Sequence, residues 1–213
     1  MDPVRLVVVA AGLRQPSTTR MLADRLVAAA ERELLASGGP EVEVRVIELR
    51  ELATDIAHNL VTGFPNETLS EALKAVESAD GLIVVSPIFS ASYSGLFKSF
   101  FDLIDPVALS GTPVLIAATG GSVRHSLALE HALRPLFAYL HATVVPTGVY
   151  AATEDWGASS SAGGTASADL GGRIDRAATE LAALLTTGLA TQRRQRPSED
   201  FDDVVPFEEL LRG

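Results

Sequence analysis

Ala11-Gly12-Leu13-Arg14-Gln15-Pro16-Ser17-Thr18-Thr19-Arg20 separates two stretches of different periodicity. Before it, Leu6-Val7-Val8-Val9-Ala10 is a continuous apolar run rich in β-branched residues, the pattern of a strand buried on both faces of a parallel sheet. After it, Met21 to Ala30 places Leu22, Leu26, Ala29 and Ala30 on one helical face. A strand, a hydroxyl-rich turn and a helix bring the hydroxyls of Ser17, Thr18 and Thr19 to the unpaired N–H groups of a helix N-terminus. The helix dipole and those donors favour an anion, most often phosphate. Capping of the helix by Ser17 or Thr18 explains the same residues, and the local sequence leaves both roles open. The loop contains neither G-x-x-x-x-G-K-[ST] nor G-x-G-x-x-G, which argues against a P-loop nucleotidase and a dinucleotide-binding Rossmann fingerprint.

Composition narrows the class. A length of 213 residues suits one domain with appendages, or at most two small ones, and the 47% hydrophobic fraction supplies ample core. No apolar run approaches the ~18 residues of a membrane helix. The apolar segment near the N-terminus stops at Gly12 and Arg14, so it reads as a core strand and not as a secretory signal. With no cysteine there is no disulfide, thiolate metal site or thiol nucleophile, and a cytoplasmic location is expected. A net charge of −10 argues against a nucleic-acid partner, whose phosphates call for Lys and Arg.

Further along, Gly38-Gly39-Pro40 closes the first helix at about Ser37, and residues 41–49 alternate charged and apolar as a half-exposed edge strand does. Residues 50–66 are irregular and read as a surface excursion. Thr68 to Ala79 is expected to be helical, Leu82 to Val85 a buried strand, Leu96 to Ile104 a helix, Pro113 to Ala118 a strand, Arg124 to about Leu140 one amphipathic helix, and Thr143 to Pro146 a fifth strand. Five alternations of strand and helix predict a doubly wound α/β fold with a parallel sheet. In such sheets ligands bind outside the carboxyl ends of the strands. The loops 11–20, 86–95 and 119–122 all follow strands and should share that edge.

Three of these segments together resemble the NAD(P)H-dependent FMN reductases: P-S-T-T-R at 16–20, S-P-I-F-S-A-S-Y-S-G-L-F-K-S-F-F-D at 86–102, and A-T-G-G-S-V-R-H-S-L-A-L-E-H-A-L-R-P-L at 118–136. The resemblance spans about residues 4–150, is most specific in the third segment, and is nearest to reductases that accompany luciferase-like two-component monooxygenases, alkanesulfonate systems included. It implies a flavodoxin-like three-layer sandwich with a five-stranded parallel sheet in the order 2-1-3-4-5. It implies FMN as cofactor, NAD(P)H as co-substrate, a flavin-dependent monooxygenase as recipient of reduced FMN, and a homodimer or homotetramer. By the same resemblance Gly12, Arg14, Ser17, Thr18 and Thr19 grip the FMN phosphate, and Pro87, Ile88, Phe89 and Ser90 border ribityl and ring. Thr119, Gly120, Gly121 and Ser122 would then present backbone donors along the isoalloxazine. Leu13 departs from the small hydroxyl residue common in relatives, and His131 stands where alkanesulfonate-type relatives carry Tyr.

Other groups carry less chemistry. His125 and His131 are six residues apart, which is not the i, i+3 or i+4 spacing of two ligands on one helix face; with His141 they make a poor metal set. Lys98 and Asp102 read as an i, i+4 ion pair. G-x-S-x-G is absent, and hydride transfer is carried by the cofactor, so no catalytic side chain is assigned. Residues 151–172, with Trp156 and the run 159–164 of Ser, Ala and Gly, are expected to form a mobile loop; Ile174 to Leu189 is expected to be the last covering helix. The domain then spans 1–190, and the tail 191–213 reads either as disordered or as laying Val204, Phe207, Leu210 and Leu211 onto a subunit or partner, with docking favoured because those apolar side chains would otherwise face water. An FMN-binding electron carrier of the flavodoxin type and an NAD(P)H:quinone reductase are the alternatives. Nicotinamide preference stays open, because a 2′-phosphate needs a cation and Arg14, Arg20 and Arg124 all qualify.

Overall fold

The chain's structure is a computed structural model that describes residues 3–157 and 165–187. Strand β1 (Val4–Ala10) is buried along nearly its whole length, as its continuous apolar run requires. β2 (Val42–Glu48) alternates exposed and half-buried residues and lies at the sheet edge beside β1. β3 (Gly81–Phe89) and β5 (Pro113–Gly120) complete the parallel centre. The order β2-β1-β3-β5-β6 is the expected 2-1-3-4-5 path, with two additional short strands off it. β4 (Ser92–Tyr93) folds back antiparallel on the end of β3, so the loop expected at 86–95 is partly a hairpin. Ser90 (φ 49°) and Ala91 (φ 67°) make its turn in the left-handed conformation of two-residue hairpins.

The fifth strand position is shared. β6 (Thr143–Val144) pairs with the start of β5, and β7 (Val149–Ala152) pairs with its end, both parallel. The break between them has a chemical cause: Pro146 has no N–H for the ladder, and the Glu180 carboxylate takes the Thr147 N–H (2.7 Å) and hydroxyl (2.8 Å) instead. Arg134 donates to the carbonyls of Val145 (3.1 Å) and Pro146 (3.0 Å) at the same break.

Two apolar layers enclose the sheet. On one face α1 (Thr18–Ala36) and α7 (Thr165–Thr186) pack through Leu22, Leu26, Ala177 and Leu181. On the other lie α3 (Glu67–Glu77), α4 (Gly95–Phe101) and α5 (Arg134–Tyr139), with Leu73, Phe97, Phe101 and Phe137 in the core. Phe97, Phe101 and Phe137 form an aromatic cluster with centroid separations of 4.7, 5.0 and 6.3 Å.

Three stretches differ from expectation. Residues 50–66 are not an irregular excursion: a 3₁₀ turn over Leu49–Leu52 leads into α2 (Ala53–Thr62), which ends at Gly63 in the left-handed conformation. Its buried contacts are few, Ile56 and Asn59, which is why no long apolar stripe announces it. The single helix expected over 124–140 is divided into a 3₁₀ turn (Val123–His125), a π turn (Leu129–Leu133) and α5. Pro135 has no N–H to return to the preceding turn and sits in the first turn of α5, where none is needed. The stretch 151–172 holds the end of β7, the short helix α6 (Thr153–Gly157) and the start of α7. Residues 158–164 and the tail 191–213 lie outside the described residues.

Phe97→Ala is expected to lower the unfolding free energy by about 3–5 kcal/mol, measured by urea denaturation. A loss under about 1 kcal/mol would contradict the place given to this cluster.

Candidate functional site

Register puts the loops together. Ala10 lies opposite Val85, Pro87 opposite Thr119, and Gly120 opposite Ala152, so β1, β3, β5 and β7 finish along one edge. The chain leaving β1 stays bound to β3 for one more step, Ala11 N–H donating to the Val85 carbonyl at 2.9 Å. A cavity of about 620 Å³ opens at this edge, within the ~300–1,000 Å³ common for small-ligand sites. Gly12, Arg14, Ser17, Thr18, Thr19, Pro87, Ile88, Phe89, Thr119, Gly120 and Gly121 all line it. Of the residues named from sequence, Ser90 and Ser122 do not. Ser90 lies in the hairpin turn with φ 49°, and the Ser122 hydroxyl accepts from the Arg124 N–H (3.3 Å) as the cap of the 3₁₀ turn.

The first loop performs both roles the sequence left open. Ser17 is the N-cap of α1, its hydroxyl accepting from the Arg20 N–H at 3.2 Å, and its carbonyl receives the first intrahelical bond, from Met21, at 3.0 Å. The N–H groups of Thr18 and Thr19 precede that bond and are therefore donors without a place in the helix ladder. Ser17 also keeps its hydroxyl proton, which is free to donate. Gly12 is required here: a Cβ on it would stand 2.0 Å from the Ser17 hydroxyl oxygen. Arg14 forms no ion pair among the described residues, whereas Arg20 is held by Asp24 (2.7 Å) and Glu48 (2.6 Å). The Thr19 hydroxyl is buried and bonded to the Thr119 hydroxyl at 3.0 Å, tying the first loop to the third.

The third loop is held from behind by Tyr150, a residue whose local sequence, V-Y-A-A in a strand, gives no functional signal. Its hydroxyl donates to the Ser122 carbonyl at 2.8 Å, and a Cβ on Gly120 would meet that hydroxyl at 2.0 Å. Burial, helped by the charges of Glu154 and Asp155, pushes the phenol above its usual range, so it remains a neutral donor. Gly121 has open space where a Cβ would stand, which lets a ligand approach its backbone closely.

Ala151, Thr153 and Trp156 complete the wall. Asp155, buried, accepts from the Ala152 N–H (2.7 Å) and pairs with Arg173 (3.3 Å), seating α6 on the end of β7. The Arg25 guanidinium lies 4.8 Å from the centroid of the Trp156 ring, which fixes the indole between α1 and the cavity. Exposed Leu13 and Phe89 form apolar lips at the mouth. Lys98 and Asp102 form a surface ion pair away from this wall. Among the described residues no group of three His, Asp or Glu side chains is placed to hold a metal ion, and no helix is long and apolar enough to cross a membrane.

The family described as NADPH-dependent FMN reductase matches residues 4–157. The FMN reductase (NADPH) of Pseudomonas aeruginosa is 43% identical over 155 residues, 73% of this chain and 80% of that protein. The NADH-dependent FMN reductase SfnF of Pseudomonas putida is 43% identical over 151 residues, 71% of this chain and 78% of that protein. The X-ray structure of an oxidoreductase from Corynebacterium diphtheriae superposes with a TM-score of 0.82 at 46% identity, covering 88% of this chain and 99% of that one.

Gly120→Ala is expected to cost about 1–3 kcal/mol in urea denaturation by overpacking against Tyr150. The cost should shrink in a Tyr150→Phe background, where the clashing oxygen is gone. Additive losses in that double-mutant cycle would contradict the strut described for Tyr150.

Proposed function

This chain belongs to the NADPH-dependent FMN reductase family, and from that premise we propose that its cavity binds FMN, lets NAD(P)H reduce it, and gives up reduced FMN to a monooxygenase. The observation that carries this reading is one cavity with two unlike ends. One end holds a helix N-terminus, hydroxyls and Arg14, which has no ion pair among the described residues; the other holds Pro87, Ile88, Phe89, Trp156 and the Thr119–Gly121 backbone. A phosphate suits the first end and a flat heteroaromatic ring the second, so the donor set fits FMN.

The flavin, when bound, supplies the redox chemistry, its N5 taking the nicotinamide hydride. The protein's part is binding and orientation. The Thr18 and Thr19 amides, the Ser17 and Thr18 hydroxyls and Arg14 would hold the phosphate through charge-assisted hydrogen bonds. The Thr19 hydroxyl, bonded to Thr119, acts on loop position. Backbone N–H groups of the third loop would stabilise negative charge on a flavin ring bound there. Pro87, Ile88 and Phe89 exclude water from one side, and the exposed Leu13 and Phe89 lips leave room for nicotinamide and for flavin release. No proton-transferring side chain is assigned to the hydride step, because the cofactor would carry that chemistry.

We further propose a luciferase-like flavin-dependent monooxygenase as the recipient, a homodimer or homotetramer as the working form, and a cytoplasmic location. These rest on the sequence resemblance.

Oxidation of NADPH and NADH by purified protein, followed by loss of the reduced-nicotinamide absorbance, should be fast only with added FMN and should saturate with FMN concentration. Tightly bound FMN with negligible nicotinamide oxidation would overturn this reading in favour of an electron carrier.

A further inference from the structure

We propose that the groove lined by Arg124, His125 and His131 binds the 2′-phosphate of NADPH and makes this chain NADPH-selective; the proposal rests on the FMN reductase reading above. The groove, of about 350 Å³, is also lined by Ala91, Ser92, Leu127, Ala128 and Ala132. Two chain segments link its lining to that of the large cavity. Phe89 lines the cavity and Ala91 the groove; Gly121 lines the cavity and Arg124 the groove. Three residues of chain span at most about 10 Å, so an anion on Arg124 lies within reach of a dinucleotide whose nicotinamide is in the cavity.

The three cations that the sequence offered for this role separate on their partners. Arg20 is neutralised by Asp24 and Glu48. Arg14 sits in the first loop, between Gly12 and the N-cap Ser17, where the flavin phosphate is expected. Arg124 is exposed, and among the described residues its guanidinium has no carboxylate partner. Among the described residues Arg5, Arg32, Arg45, Arg50, Arg134 and Arg173 are each paired with a carboxylate. Glu130, next to His131 in the chain, is engaged by Arg134 at 2.6 and 3.0 Å, which holds its carboxyl below the usual range, and Asp102, which lines a neighbouring cavity with His131, is paired with Lys98.

The helix break builds the groove. His125 and His131 are spaced wrongly for one face of a continuous helix, yet the 3₁₀ turn, the π turn and the chain between them bring both to the same concavity. They add ring N–H donors beside Arg124, while exposed Leu127 offers an apolar surface for the adenine. A phosphate monoester takes charge-assisted hydrogen bonds from such a set, and a ribose hydroxyl cannot replace them.

The two relatives described above, both 43% identical, differ in the nicotinamide that their names carry, so the preference of this chain is read from its own residues. The test compares wild type, Arg124→Gln and Arg124→Lys. In wild type kcat/KM for NADPH should exceed that for NADH, and 2′,5′-adenosine bisphosphate should bind more tightly than AMP by calorimetry. In Arg124→Gln the NADPH/NADH ratio of kcat/KM should fall about tenfold or more, with loss of the bisphosphate preference. Arg124→Lys should retain part of both. A wild type that favours NADH, an unchanged ratio in an active Arg124→Gln, or equal binding of bisphosphate and AMP would each overturn the proposal. Failure of wild type to oxidise either nucleotide with FMN would instead overturn the underlying reading, and the bisphosphate titration would still judge the groove.

Discussion

A hydrogen bond between two threonine hydroxyls, Thr19 on the first turn of α1 and Thr119 at the end of β5, joins loops a hundred positions apart at a distance of 3.0 Å. Both side chains are buried, so neither has water as an alternative partner, and leaving either unpaired is costly. The bond is made only because β1, β3 and β5 run parallel and stop together. Within the first loop Gly12 lies against Ser17, and the register of β5 with β7 brings Gly120 against Tyr150. Each of those glycines stands where a Cβ would strike an oxygen that is holding a loop in place. The cavity is thus built by strand ends and a few polar struts, with its apolar lips added by Leu13 and Phe89.

Charge is arranged with similar economy in this acidic chain. Around the site, Arg20 and Arg50 are matched with Glu48, and Arg173 with Asp155, so these cations shape the scaffold. Arg25 is set over Trp156. Arg14 and Arg124 are left without carboxylates among the described residues, one at each end of the concave surface. A ligand with phosphates at both ends of a stacked pair, flavin phosphate at one and nicotinamide nucleotide at the other, matches that distribution.

Much of this was legible in the residues. Uninterrupted apolar runs at Leu6–Ala10, Gly81–Val85 and Pro113–Ala118 dictate a doubly covered parallel sheet, and the hydroxyl loop after the first of them marks a ligand edge. The family resemblance supplied the flavin and the strand order. Local pattern was silent where distant groups decide. α2 buries too few side chains to show a stripe. The split of the fifth strand depends on Glu180 and Arg134, neither adjacent in sequence. The π turn before Pro135 replaces the smooth helix that apolar spacing alone describes, and with it His125 and His131 come to one groove. Tyr150 works through an oxygen 28 residues away, so no motif around it declares a role.

On the proposed function, the N-terminus of α1 and Arg14 would hold the flavin through its phosphate. Fluorescence titration of the purified protein with FMN and with riboflavin, which has the same ring and ribityl chain without the phosphate, tests this directly. FMN should bind on the order of a hundredfold more tightly than riboflavin, as several charge-assisted hydrogen bonds require. Equal affinities would contradict the account, because the phosphate would then be making no contact with the loop that organises the fold.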